Sequence, residues 1–160
     1  MNYKDTAKRL LNGGLIKKQE VNFNQIDALL FRAKKDLIAS KVNLEIDEEV
    51  TYNYTYLAMI RCGRAIMFME GYRPTDGQQH KTVIELAGKI LGEEKFINIV
   101  KKFDNMRRKR NQFTYDPSLP VSKLEAKNAL KTAEEFVKKI IEFRGSENST
   151  FSKWNVNNVL

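Results

Sequence analysis

The chain is poor in residues that build covalent or metal cross-links. Its 160 residues include one cysteine, Cys62, and one histidine, His80. One chain therefore has no means of forming an internal disulfide or a zinc site of several Cys and His ligands. Proline occurs only at 74, 117 and 120, which leaves long stretches without the residue that interrupts helices. No run approaches the roughly 18 consecutive apolar residues that a membrane span requires. The opening stretch MNYKDTAKRL mixes acid and base and lacks an apolar segment and a small-residue cleavage site, so no secretory signal is visible. A Gly-rich phosphate loop, a Ser/His/Asp set and a nucleotidyltransferase signature are missing too. These absences argue against a disulfide-stapled secreted protein and the commonest nucleotide-dependent enzymes. A cytoplasmic setting is expected, with no metal and no cofactor.

What the chain has is positive charge: 28 Lys and Arg stand against 20 Asp and Glu, a formal charge of +8. That balance favours an anionic partner, nucleic acid first and an anionic membrane surface second. The length suits one compact domain, taken as residues 1–145, with 146–160 as a tail or docking arm.

The apolar pattern is helical throughout. A short helix over about Lys4 to Leu11 ends at Gly13-Gly14. Asn24 and Asp27 read as the cap of a second helix, whose stripe Ile26, Leu29, Leu30, Ala33 and Leu37 carries it to about Lys41. The acids Asp47, Glu48 and Glu49 suit the positive end of a third helix. Val50, Tyr52, Tyr54 and Tyr56 alternate with polar residues as a strand would, but no second alternating run exists to pair with them, so the segment is assigned as helix. Nearly continuous apolar residues from Leu57 to Met69 make it the centre of a bundle. A turn-rich loop, Gly71 to Gly77, precedes a fourth stripe of His80, Val83, Ile84, Ala87 and Leu91. Glu93 opens a fifth helix, with Phe96, Val100, Phe103, Arg107 and Arg110 on one face; it stops before Asp116-Pro117. Ser122 and Glu125 form a capping box for the last helix, whose apolar positions run from Ala126 to Ile141 and end at Gly145. The tail carries Phe151, Trp154, Val156 and Val159. The expected fold is an all-α up-and-down bundle of about five main helices, with a short N-terminal helix and a C-terminal tail.

The fifth helix closes on Arg107-Arg108-Lys109-Arg110, with Lys101 and Lys102 two turns earlier. Helical spacing divides these six. Lys101 with Arg108, and Lys102 with Lys109, share a polar face; they serve either as a solvated helix end or as phosphate contacts. Arg107 and Arg110 continue the apolar line, where a guanidinium must find acceptors. A buried acid or an incoming anion would supply them.

The run Arg110-Asn111-Gln112-Phe113-Thr114-Tyr115-Asp116-Pro117, with an Arg-Asn pair late in the bundle and an aromatic a turn further on, resembles the HEPN superfamily, the small helical bundles of prokaryotic toxin pairs, phage defence and CRISPR-associated nucleases. The order of helices over residues 24–144 is similar, as is the Gly71-Tyr72-Arg73 loop followed by a helix starting His80-Lys81-Thr82. The resemblance implies metal-independent RNA cleavage by an Arg followed four to six residues later by a His, assembled from two chains of a dimer. Arg110 matches the family Arg and Asn111 the polar residue beside it, but Tyr115 stands where the His belongs. The only histidine precedes Arg110 by 30 residues.

Metal-free RNA cleavage needs a base for the 2′-OH, an acid for the leaving oxygen and a cation for the charge on phosphorus. Arginine supplies only the cation. Tyrosine, with an ordinary pKa near 10, forfeits about 100-fold to 10,000-fold from positioned acid–base catalysis, although it can still donate a hydrogen bond or stack on a base. The reading is a homodimeric, RNA-associated protein of toxin–antitoxin or defence type, in which Arg107, Arg110, Asn111 and Tyr115 surround an anion-binding groove and Lys101, Lys102, Arg108 and Lys109 hold phosphates, without full ribonuclease chemistry. Two alternatives remain. One is a helical module that binds a protein such as a nucleotidyltransferase. The other is an active ribonuclease using Arg110 and His80.

Overall fold

The computed structural model describes residues 2–76, 80–92 and 94–147, with the side chains of 94, 95, 146 and 147 excepted. Six helices follow one another: α1 (Tyr3–Asn12), α2 (Phe23–Asn43), α3 (Glu48–Met69), α4 (His80–Leu91), α5 (Glu94–Tyr115) and α6 (Lys123–Glu147). The chain is thus an all-α bundle with a short first helix and five main ones, as expected. Glu93, Gly77 and the tail side chains Phe151, Trp154, Val156 and Val159 lie outside the described residues. No described helix is long and apolar enough to cross a membrane.

Local chemistry starts each helix where an acceptor side chain is available. The Asp47 carboxylate accepts from the Val50 backbone N–H and opens α3, and Ser122 and Glu125 form their reciprocal capping box ahead of α6 at 3.1 and 2.8 Å. The cap of α2 is Asn22, whose side chain accepts from Gln25 N–H, so the start expected at Asn24 moves back two residues. α6 continues to Glu147, two residues past Gly145.

The segment whose tyrosines alternate is helical because its apolar residues are buried on more than one side. Tyr52, Tyr56, Met59, Cys62, Ile66 and Met67 are all in the core, and α3 packs against α2, α4, α5 and α6. Helices α2 and α6 run antiparallel, tied by Lys41 to Glu134 and Arg144 to Asp27. Buried Asp36 on α2 pairs with Arg61 on α3.

A short antiparallel ladder was not legible in advance. Strand β1 (Ile16–Lys18) pairs with β2 (Tyr72–Pro74) in the register Ile16 to Pro74 and Lys18 to Tyr72. Three residues are too few for alternation to stand out. Gly71, at φ +75, makes the left-handed turn into β2, and its carbonyl accepts from Gln19 N–H at 2.9 Å. The ladder ties the chain leaving α3 to the α1–α2 connection, a few residues before His80. Beyond it α4 lies close on α3: a Cβ at Gly63 would sit 2.7 Å from Val83 Cγ1.

Candidate functional site

The inward line of α5 behaves as its spacing demands. Phe103 is 2% exposed, and Arg107 and Arg110 follow it at the half-buried margin. Phe103 packs edge-on against Tyr56 at 5.7 Å between ring centroids, which sets the height at which the later turns of α5 meet α3. One turn on, Arg110 Nε donates to Asn53 Oδ1 at 3.0 Å, and its guanidinium lies 5.3 Å from the centroid of the Tyr56 ring, a cation–π arrangement. Among the described residues, no carboxylate pairs with Arg110. Its two Nη groups remain for another acceptor.

Tyr56 reaches past Arg110 to α4. Its hydroxyl lies 2.9 Å from His80 Nδ1, with the direction of donation set by the imidazole tautomer, and the two rings are 5.6 Å apart. Burial pushes the Tyr56 hydroxyl pKa well above its ordinary value, the Arg110 and Arg107 charges offsetting only part of that. It is a neutral hydroxyl. Burial and the charges of Arg110, Arg64 and Arg107 all hold His80 below the usual imidazole value, so at neutral pH the ring is uncharged.

The other bases are largely engaged. Arg107 Nε donates to Asp104 Oδ1 at 2.9 Å, and Arg108 donates to Oδ2 from Nε at 3.0 Å and from Nη2 at 2.5 Å. Burial pushes the Asp104 carboxyl up, but hydrogen bonds from Arg108 and Arg107 and the charges of both outweigh it and leave it below the usual range. Lys109 Nζ contacts Pro120 O at 3.3 Å and Glu125 Oε1 at 3.4 Å. Lys101 and Lys102 are exposed. Grooves of about 510 and 430 Å³ flank α5, the first against α6 beside Lys102 and Asn105, the second against α4 beside Lys81, Lys101 and Arg108.

The structure therefore brings together Arg107, Arg110 and His80, and places Asn111 and Tyr115 elsewhere. Both are exposed, Tyr115 to 86% at the last residue of α5. At about 100° per residue they lie about 100° and 140° round the helix from Arg110, so the four residues expected around one groove do not converge, and the side chains that meet Arg110 come from α3, with His80 of α4 behind Tyr56. Asn53, Tyr56 and Asp104 are the components that sequence reasoning did not assign to the site. Tyr56 figures in the sequence only as one of the alternating residues of the third helix, and no local signal pairs Asn53 with an arginine 57 residues away. No group of described Asp, Glu, His and Cys residues could hold a metal ion.

A sequence model of the HEPN domain matches residues 26–144, and the chain belongs to the HEPN domain family. The match runs from the second turn of α2 to the last turns of α6 and includes every side chain of the cluster. Comparison with curated proteins and with solved structures finds no match.

Proposed function

We propose that this HEPN protein is RNA-associated, of toxin–antitoxin or defence type, and seats an RNA phosphate on the Arg110 guanidinium. One observation carries the reading: Arg110 is half-buried, held by a neutral carboxamide and a tyrosine ring, and faces no carboxylate among the described residues. A guanidinium fixed in place but not neutralised is preorganised for bidentate contact with a phosphate. Exposed Lys101 and Lys102 extend the positive track along α5. Arg108 joins them, because its pair with Asp104 leaves the side chain 65% exposed and such a pair yields readily. Homodimerisation and a cytoplasmic setting complete the reading.

Full ribonuclease chemistry is not part of it, since the phenol at the family's histidine position is solvent-exposed and apart from Arg110. A second reading has its own support: the uncharged imidazole of His80 is joined through Tyr56 to Arg110, which assembles a base and a cation from different helices.

Titration of a fluorescent single-stranded RNA at several salt concentrations tests the first reading. Affinity should fall linearly in log–log form as salt rises, through counterion release. Arg110→Ala should weaken binding about 10-fold or more, as for a charge-assisted hydrogen bond of about 1.5 to 3 kcal/mol. Absent or salt-insensitive binding would sink the reading and favour a module for a protein partner such as a nucleotidyltransferase. Cleavage in excess chelator, lost in both Arg110→Ala and His80→Ala, would establish the second.

A further inference from the structure

We propose that anion binding at Arg110 is proton-linked through His80, with Tyr56 as the positioning residue that holds the imidazole beside the anion. The inference rests on the reading of Arg110 as a phosphate seat and adds a regulatory property and a residue to it.

The geometry is a chain of three side chains from three helices. The Arg110 guanidinium lies over the Tyr56 ring, and the Tyr56 hydroxyl bonds His80 Nδ1 at 2.9 Å. Tyr56 is fully buried and packed edge-on against Phe103, which places it between the two partners. The charged groups acting on His80 come from two sides. Arg64 is on α3, and Arg110 and Arg107 are on α5, with Asp104 answering Arg107. Uncharged Tyr56 is the group in direct contact.

In this arrangement a positive field meets a titratable ring. With Arg110 unoccupied, protonation of His80 adds a cation beside cations and is disfavoured. An anion on Arg110 cancels part of that field, so the imidazole binds its proton more tightly and its titration midpoint rises. Linkage makes the effect reciprocal: the anion binds more tightly to the protein whose His80 is protonated. Affinity for a phosphate group thus increases as pH falls through the imidazole range. His80 acts there as a second, conditional cation, recruited by acid and absent at neutral pH. No bond is made or broken; one proton moves between solvent and the imidazole.

The protein is well suited to the measurement, because its only histidine gives one imidazole signal in the NMR spectrum. The probes are sulfate, whose charge is constant across the titration, and a uridine trinucleotide without terminal phosphates, both at fixed ionic strength. The His80 midpoint is expected to rise when either probe is added. Sulfate affinity is expected to be greater at pH 5 than at pH 7.5, by up to about threefold for a half-unit coupling. His80→Gln should flatten that pH dependence. In Arg110→Ala the midpoint should already be raised without a probe, and the probe should no longer move it. Tyr56→Phe, checked for folding by circular dichroism, should reduce the probe-induced movement while leaving Arg110-dependent binding measurable. Arg110-dependent binding with an unmoved His80 midpoint overturns the linkage and leaves the phosphate seat standing. Loss of all Arg110-dependent binding removes the seat and the linkage together. A Tyr56→Phe protein that responds like wild type removes Tyr56 from the positioning role.

Discussion

At the scale of single residues, environment rather than residue type decides what each basic or hydroxyl group can do. Arg107 and Arg110 lie three residues apart on one helix face, yet Asp104 neutralises one and a carboxamide holds the other. Asp104 engages two guanidiniums at once, so on the proposed reading it limits the charge they offer to RNA. Asp104→Asn should release both, and RNA affinity and its salt slope should each increase; an unchanged slope in a salt-dependent titration would show that Arg107 and Arg108 stay out of reach of the ligand. Tyr52 shows the same dependence on surroundings. Burial, with the Glu125 charge second, pushes its hydroxyl up to about 12. The unfolded chain ionises near 10 while the folded chain resists, so this contribution to stability is intact below about pH 10 and is lost as pH rises toward 12. Tyr52→Phe should therefore flatten the alkaline decline in a series of urea melts. Cys62 is completely buried and its thiol pKa is raised by burial alone, so a thiol reagent should label it only as fast as the protein opens.

At the scale of elements, α3 organises the site because it touches every helix that contributes to it. Its close approach to α4 at Gly63 carries the start of α4 toward Tyr56. Gly63→Ala would place a methyl 2.7 Å from Val83 Cγ1 and 3.7 Å from Phe103, and overpacking of this kind costs about 1 to 3 kcal/mol. Urea denaturation should show that loss, and the His80 NMR signal should shift as α4 is pushed outward; a stability within error of wild type would mean that α4 yields without cost. Element type and order were readable from the 3.6-residue period of Ile26 to Leu37 and Ala126 to Ile141, and from the capping box at Ser122. The β1–β2 ladder was not, because pairing between Ile16 and Pro74 joins segments 58 residues apart that are each too short to show a pattern.

At the scale of the whole molecule, a charge of +8 favours an anionic partner on electrostatic grounds alone, but the distribution of that charge matters more than its sum. Much of the basic run is internally compensated: Arg107 and Arg108 by Asp104, Lys109 by Glu125. On the proposed reading, the residues of that run left to engage a polyanion are Arg110 at the cluster, Lys101 and Lys102 at the surface, and Arg108, whose exposed pair with Asp104 yields readily. Lys101→Ala with Lys102→Ala should accordingly weaken RNA binding similarly across sequences and lower the salt slope by up to about 2, without moving the His80 midpoint. A change in sequence preference instead would place the two lysines at base edges.

Sequence alone determined the helical class, most of the helix limits and the inward line that carries Arg107 and Arg110, because each depends on residues within a few positions of one another. It also determined that one cysteine and one histidine are all the chain has for thiol and imidazole chemistry. Only the tertiary structure decided that His80 and Arg110, 30 residues apart, share Tyr56, that Asn53 holds the guanidinium, and that Tyr115 faces water. Periodicity specifies which face of a helix turns inward; which residue of another helix it meets there depends on the height and angle at which the two pack, and that is settled by the core as a whole.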